Sequence, residues 1–362
     1  MKHYSIFLPS YTIGTDAYEQ MGAICRPYGT RAVVIGGTRA MEAAREELTA
    51  AAAKGGIRIL DFVWFGGECS FQNVEALENN EKVQEAELLF AVGGGKATDT
   101  VKALGEKTGK TVFAFPTIAS NCSPCTSVSI MYNEDGSFLR PWFFQKPPAH
   151  TFIHLGIISR APKIYMWAGI GDTYAKYFEA TVSSRGERLS HYVGLGVTIS
   201  SMCLTPLLEY GAQALRDNEQ QKVSPALEQT VLAIIVTTAL TSILVTQDRI
   251  IDYNTGLAHA IYYALTSFPQ IEKDHLHGEV VGYGTLILLL ADGQKEMFES
   301  LLRFNRETGL PASLKDMGIS REELPKIIEK TLTMKDIDHN PYPVTKEMLE
   351  QAFEELERRG TE

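Results

Sequence analysis

Three residues stand in settings where side chains of their type do chemistry. Asp172 follows a Gly-Ile-Gly turn in "WAGIGDTYAKYFEA", with Trp167, Tyr174 and Phe178 around it. His259 lies among small and apolar residues in "GLAHAIYYAL", and His277 precedes Gly278 and Glu279 in "KDHLHGEVVGYG". Two imidazoles and a carboxylate in apolar surroundings suit a borderline divalent cation, Zn²⁺ or another such as Fe²⁺, with a fourth position left open. A buried capping aspartate and two satisfied core histidines are the plain alternative. It weakens when all three are taken together.

Two further stretches carry chemical potential. In "LLFAVGGGKATDTVKAL", Gly93, Gly94 and Gly95 fall between a buried strand and a helix. Glycine lets backbone N–H groups approach phosphate oxygens, and the start of the following helix favours an anion. Lys96 is not a P-loop lysine, because Ala97 follows it where Ser or Thr is needed. A tight turn with no ligand is the alternative. In "PTIASNCSPCTS", Cys122 and Cys125 have the spacing of a redox or metal pair, yet a small neutral side chain lining a pocket fits as well.

The elements that must position these residues follow from pattern. "RAVVIGG", "IRILDFVWF", "LLFAVGGG" and "TVFAFPT" read as buried strands, separated by the helical stretches "TRAMEAAREELTAAAAKGG", "FQNVEALENNEKVQEA" and "KATDTVKALGEKTG". That alternation predicts a parallel sheet covered on both faces. Beyond about Pro162 strand signals cease. Helices are expected over Tyr165–Ser183, Val223–Val245, Gly256–Ser267 and Glu279–Leu290, and in "TKEMLEQAFEELERRG" after a Thr cap. The expected architecture is an α/β domain over residues 1–161 and an all-helical domain over 162–362. Ligands of such proteins commonly bind between domains.

Composition narrows the function classes. The 362 residues carry a net charge of −10 and no basic run, which argues against a nucleic-acid binder. Five scattered cysteines fit reduced thiols better than a disulfide framework. The N-terminal "MKHYSIFLPSYTIG" lacks the order of a signal peptide. The longest apolar run, Val231–Val245, contains Thr237, Thr238, Thr241 and Ser242 and falls short of the roughly 20 residues that span a bilayer. A soluble, cytoplasmic protein with neither nucleic-acid nor membrane partners is expected.

"AVGGGKATDTVKA", "FPTIASNCSPCTSVSIMY", "GIGDTYAKYFEA", "AHAIYYALT" and "HGEVVGYGTL" closely resemble glycerol dehydrogenase and its relatives among the metal-dependent, "iron-containing" alcohol dehydrogenases. The motifs run in that family's order from about Arg31 to Thr285. The resemblance implies a dinucleotide-binding α/β domain, a helical metal domain and an NAD(P)(H) cofactor. It implies Asp172, His259 and His277 as metal ligands. Gly93, Gly94, Gly95, Lys96 and Asp99 would hold the cofactor's diphosphate and neighbouring groups. Thr117, Ser120, Thr126, Val128 and Tyr132 would line the rest of its site.

Departures from the family pattern refine this. Iron-using members resemble D-x-x-x-H at the first ligand, whereas Lys176 stands at the fourth-ligand position here, nearer the three-ligand zinc type. His275 is the nearest rival to His277. Tyr262 stands where glycerol dehydrogenases carry a second histidine, and it is the candidate to replace that residue in a proton relay. Those enzymes place an acid near Gly37 to bind the adenosine ribose. Gly37, Thr38 and Arg39 could instead accommodate a 2′-phosphate, so NADP is favoured, with a neutral Thr38 contact and NAD as the alternative.

Cys122 aligns with a substrate-contacting aspartate of "TIASTDAPC". The resemblance therefore makes it part of a substrate wall, with Pro124 and Cys125 in the turn behind. A neutral thiol there disfavours a polyol and tolerates a carboxylate, as in the similar 2-hydroxycarboxylate dehydrogenases, which carry a comparable "TIA-x-x-C". The expected activity is hydride transfer between NAD(P)H and a small 2-oxoacid or other carbonyl compound. Glycerol oxidation with NAD is the alternative. A dehydroquinate-synthase-like lyase is more remote, because the basic residues for a phosphate-bearing substrate are missing near these motifs. The family suggests a homo-oligomer.

Overall fold

The computed structural model describes residues 3–249 and 253–359. The chain divides into two compact units, Met1–Pro162 with Asp217–Leu240, and Lys163–Arg216 with Thr241–Glu362. The single cut expected at residue 162 thus meets a first unit that is discontinuous. The physical tie is Asn218, whose buried side-chain amide donates to the carbonyls of Ile158, Ser159 and Ala161. Behind it, Leu227, Val231, Ile234 and Ile235 are buried. An apolar helix in sequence does not announce which core it joins.

The first unit is built on eight strands: β1 (Tyr11–Gly14), β2 (Arg31–Gly36), β3 (Arg58–Trp64), β4 (Leu88–Gly93), β5 (Thr111–Pro116), β6 (Val128–Tyr132), β7 (Phe138–Phe143) and β8 (His150–His154). Six form one sheet in the order β1-β8-β5-β4-β2-β3, and every pairing in it is parallel. β4 is buried along its whole length and β2 beyond Arg31. Alternate residues feed opposite faces, as strand geometry requires. Val34, Phe90, Phe113, Phe115 and Phe152 fill one core, and Val33, Ile35, Leu89 and Ala91 fill the other. β1 and β8 were not expected from sequence, nor was the antiparallel β6–β7 hairpin.

Two helices matter for the site, α1 (Thr38–Lys54) after β2 and α2 (Gly95–Thr108) after β4. From β2 the chain passes through α1 to β3 on one side, and from β4 through α2 to β5 on the other. β2 and β4 are neighbours, so their carboxyl ends frame the crevice where strand order reverses, the usual ligand position in such sheets. The helix expected over "FQNVEALENNEKVQEA" is two, Phe71–Glu78 and Glu81–Glu85. Asn80 starts the second by accepting from the N–H groups of Lys82 and Val83, which favours a cap over continuation.

The second unit is helical. α3 (Lys163–Ser183), α4 (Leu257–Leu265) and α5 (His277–Ala291) carry the candidate ligands. The C-terminal helix Lys346–Arg359 begins where Thr345 Oγ1 accepts from the Met348 N–H, the expected cap. Gly360 at the end of that expected helix lies outside the described residues. Along the whole chain, His191–Glu219 and Pro225–Val245 are each long and apolar enough to cross a bilayer, although 72% of the second one's apolar window is buried in protein. The apolar run read from Val231 begins at Pro225, so its expected shortness does not hold; a core helix passes the same length test. It contains a π-helical turn over Ala233–Thr237.

Candidate functional site

Glycines set the metal cluster. A Cβ on Gly171 of α3 would lie 2.2 Å from the Gly278 carbonyl oxygen, and one on Gly278 of α5 would lie 2.1 Å from the Ala168 carbonyl oxygen. A Cβ on Gly284 would meet the Ala258 carbonyl oxygen of α4 at 2.5 Å. Only glycine permits backbones this close. The approach brings Asp172, next to Gly171, against His277, next to Gly278, and carries α4 with His259 alongside. One ligand atom from each of the three lies within 4.8 Å of the others.

Asp172 Oδ1 is 3.5 Å from His277 Nε2 and 3.7 Å from His259 Nε2. Ligands bonded at about 2.0–2.1 Å around a tetrahedral cation stand about 3.4 Å apart. The donor set and its spacing therefore fit a divalent cation, and three protein donors leave a coordination position for water or substrate. Burial alone would push the Asp172 pKa up. The hydrogen bond with His277 and the positive charges of His277, His259 and Lys176 hold it down at about 2.

Neighbouring groups fix the roles. Burial disfavours a charged His259, but the Glu179 carboxylate outweighs it and raises its pKa. Lys176, one turn after Asp172, turns its ammonium to the backbone and side-chain oxygens of Asn254. His275 places Nδ1 2.7 Å from Glu279 Oε1 while the Leu276 N–H donates to Oε2. It lies outside the cluster that His277 completes. Tyr262 packs its half-buried ring edge-on to His277 with centroids 4.3 Å apart. Burial pushes its hydroxyl up to about 12, so at neutral pH it is a hydrogen-bond donor rather than a base.

Of the residues expected to bind a cofactor, Gly37–Arg39 and Gly93–Lys96 lie at the carboxyl ends of the neighbouring strands β2 and β4. Gly37 and Gly94 sit before α1 and α2, and neither helix start is capped by a side chain. The first N–H groups of both helices are thus open to an anion. Gly93 has φ of +145°, and a Cβ there would meet Ala97 and Ala40 at 3.2 and 3.5 Å. Gly37 is different: its φ is −76°, and a Cβ would find only Phe65 Cε1 at 3.7 Å. Thr38 and Arg39 are exposed. Lys96 Nζ pairs with Glu68 Oε2 at 2.5 Å and stands 5.5 Å above the Tyr132 ring.

Asp99 is buried, pairs with Lys102 at 2.8 Å, and accepts from Ser123 Oγ and the Ile130 N–H. Both its oxygens pin the 123–130 segment to α2. Lys102, which sequence reading missed, donates from the same buried spot to Ser123 O, Thr126 Oγ1 and Val128 O. Thr117 is buried with its N–H on the Gly93 carbonyl, whereas Ser120 and Val128 are half-buried. Cys122 is half-buried and opens the single turn Ser123–Cys125. Cys125 is fully buried with Sγ 3.4 Å from Thr151 Oγ1. No described cysteine is in a disulfide.

Two uncapped helix starts at the β2–β4 crevice and a three-donor cluster that fits a divalent cation are what a metal-dependent, dinucleotide-linked oxidoreductase needs. Residues 9–146 match the iron-containing alcohol dehydrogenase family. Over 309 residues the chain is 35% identical to glycerol dehydrogenase of Thermotoga maritima, covering 82% of this chain and 81% of that protein. It is 33% identical to hydroxycarboxylate dehydrogenase A of Escherichia coli, covering 91% and 90%. The crystal structure of glycerol dehydrogenase from Schizosaccharomyces pombe superposes with a TM-score of 0.85 at 24% identity, covering 100% of this chain and 92% of that one.

The chain belongs to the iron-containing alcohol dehydrogenase family, in its glycerol dehydrogenase-like branch. It is an NAD-linked, metal-dependent alcohol oxidoreductase acting on a small molecule.

Proposed function

We propose that the chain reduces a small 2-oxoacid reversibly to its 2-hydroxycarboxylate, with NADP(H) preferred and Zn²⁺ in the three-ligand cluster. The observation carrying this is an absence of carboxylates in two places. Gly36–Arg39 holds no acid beside the α1 start, and Pro116–Tyr132 holds no charged side chain at all. A carboxylate in the first place repels a 2′-phosphate, and one in the second repels an anionic substrate. The 33% identity to a hydroxycarboxylate dehydrogenase supports the same choice.

Asp172, His259 and His277 would hold the cation, the Gly93–Gly95 turn the cofactor diphosphate, and the Gly37–Arg39 turn the adenosine ribose with its 2′-phosphate. When bound, the cation supplies Lewis-acid polarisation of the carbonyl and the nicotinamide supplies the hydride. The chain's own share is positioning. Lys96 must exchange Glu68 for a phosphate oxygen, Asp99 and Lys102 hold the Ser123–Ile130 wall, and Tyr262 keeps its proton near the ligand His277. Lys176, committed to Asn254, leaves three protein ligands, which supports zinc. The residue 1–161 domain would thus serve the cofactor and the remainder the metal, in a cytoplasmic homo-oligomer.

A second reading, oxidation of glycerol or a related diol with NAD, draws on the 35% identity to a glycerol dehydrogenase. Initial rates on Zn²⁺-loaded enzyme decide, crossing NADH and NADPH with 2-oxobutanoate, 2-oxoglutarate and dihydroxyacetone. Faster turnover of the oxoacids with NADPH is expected. Clear preference for dihydroxyacetone with NADH overturns the proposal in favour of the second reading.

A further inference from the structure

Glu179 lies two turns after Asp172 on α3, and its side chain is fully buried. Its position in an otherwise apolar stretch would cost several kcal/mol for an unpaired carboxylate. Among the described residues, every hydrogen-bond partner of its side chain belongs to the segment that carries His259. Glu179 Oε1 accepts from the Gly256 N–H at 2.8 Å and the His259 N–H at 3.0 Å. Glu179 Oε2 lies 2.7 Å from His259 Nδ1. The two oxygens thus divide the work, one holding the first N–H groups at the start of α4 and the other facing the imidazole.

We infer that Glu179 is a positioning residue for the metal centre: it sets the His259 tautomer and ring angle so that the Nε2 lone pair faces Asp172 and His277. An ionised carboxylate only accepts hydrogen bonds. The proton of a neutral His259 therefore sits on Nδ1, and Nε2 is left as the ligand atom on the side where Asp172 Oδ1 lies at 3.7 Å. Among the described residues, the one carboxylate paired with His277 is its fellow candidate ligand Asp172, 3.5 Å from Nε2. The His277 side chain is 43% exposed, and its ring rests against Tyr262. Of the two imidazoles, His259 is the one fixed in advance. Carboxylate partners of this kind govern metal affinity without touching the ion.

This inference rests on Asp172, His259 and His277 being a metal site, but on neither the substrate nor the nicotinamide preference. Glu179→Gln separates positioning from packing. Its carbonyl oxygen can keep both backbone N–H bonds, while its NH₂ must donate to Nδ1, which forces the proton onto Nε2 and blocks ligation. The expected result is a Zn²⁺ dissociation constant raised about 10–100-fold, by chelator competition on the full chain, with an unchanged melting curve for the metal-free protein. Nitrogen-15 spectra of metal-free wild type, taken at a pH alkaline enough for His259 to be neutral, should show its single proton on Nδ1, and those of the variant should show it on Nε2. Wild-type affinity in the variant overturns the inference. So does a neutral wild-type His259 with its proton on Nε2, a measurement that stands even if the variant does not fold. Failure of wild type to bind Zn²⁺ overturns the metal reading and this inference together.

Discussion

The two halves of the chemistry are built on different logic. At the β2–β4 crevice the groups that would bind are backbone N–H donors that strand-to-helix turns leave open. At the candidate metal cluster they would be three side chains on three helices, brought within 4.8 Å by backbone contacts that tolerate no side chain. A backbone site depends on local conformation and accepts new side chains at its rim. A side-chain site depends on helix packing, so its sensitive positions include residues that never touch the ion. Glycine serves both regions for opposite reasons, openness at Gly37 and closeness at Gly278.

Gly278→Ala should therefore have the largest effect. Its Cβ would meet the Ala168 carbonyl oxygen at 2.1 Å and Asp172 Cβ at 2.9 Å, so the helices must part. A loss of about 3 kcal/mol, at the upper end for overpacking, is expected in urea unfolding. Bound zinc should fall with it in metal analysis. A variant with wild-type stability and full metal content would show that α5 can shift without opening the cluster.

Gly37→Asp should do the reverse, changing function and leaving the fold intact. The site has room, an ordinary φ, and a helix start that an aspartate caps well. A carboxylate within about 4 Å of a 2′-phosphate is worth about 1 to 4 kcal/mol of repulsion, depending on effective dielectric. The kcat/KM with NADPH should drop at least about tenfold, equivalent to about 1.4 kcal/mol, with NADH little affected and the melting temperature unchanged. Equal losses with both cofactors would mean that no 2′-phosphate binds there.

Legibility from sequence follows the same division. The glycine turns and their flanking strands were readable because the signal is local, a β-branched run, glycines and a helix within a score of residues. The three residues that cluster, Asp172, His259 and His277, were readable as residue types in unusual apolar settings. Glu179 carried a comparable signal, a carboxylate on the apolar face of the Asp172 helix. It passed unnoticed because its partners, Gly256 and His259, are distant in sequence. The structural partners of Asp99 were hidden for a related reason, because Ile130 lies in a hairpin that pattern did not reveal. The return of Asp217–Leu240 to the sheet unit was equally invisible, since an apolar helix has no label for its core.

Cys122→Asp sharpens the comparison on the substrate side. The residue is half-buried at the head of a single turn, so a carboxylate there can remain partly hydrated and the fold should hold. Relative kcat/KM should move away from 2-oxobutanoate and towards dihydroxyacetone, by about tenfold for each 1.4 kcal/mol of new repulsion. An unchanged substrate ratio would remove Cys122 from the substrate wall.

The effect expected to be smallest at neutral and alkaline pH distinguishes two buried histidines, one in each unit. Among the described residues, the hydrogen-bond partners of His150 in β8 are hydroxyls, Ser10 Oγ at 2.7 Å and Thr12 Oγ1 at 2.9 Å, and burial holds its pKa down at about 4. His259 is buried beside Glu179 and shifts the other way. For His150 the unfolded chain takes up its proton near pH 6.5, while the folded chain resists until about pH 4. Over that window the unfolded state binds more protons, so stability falls as pH drops through it and is unaffected above it. His150→Gln, whose amide can still meet the hydroxyls, should flatten the decline in unfolding free energy between pH 6.5 and 4 while leaving the value at pH 8 nearly unchanged. An identical slope in the variant would assign the acid sensitivity to another group.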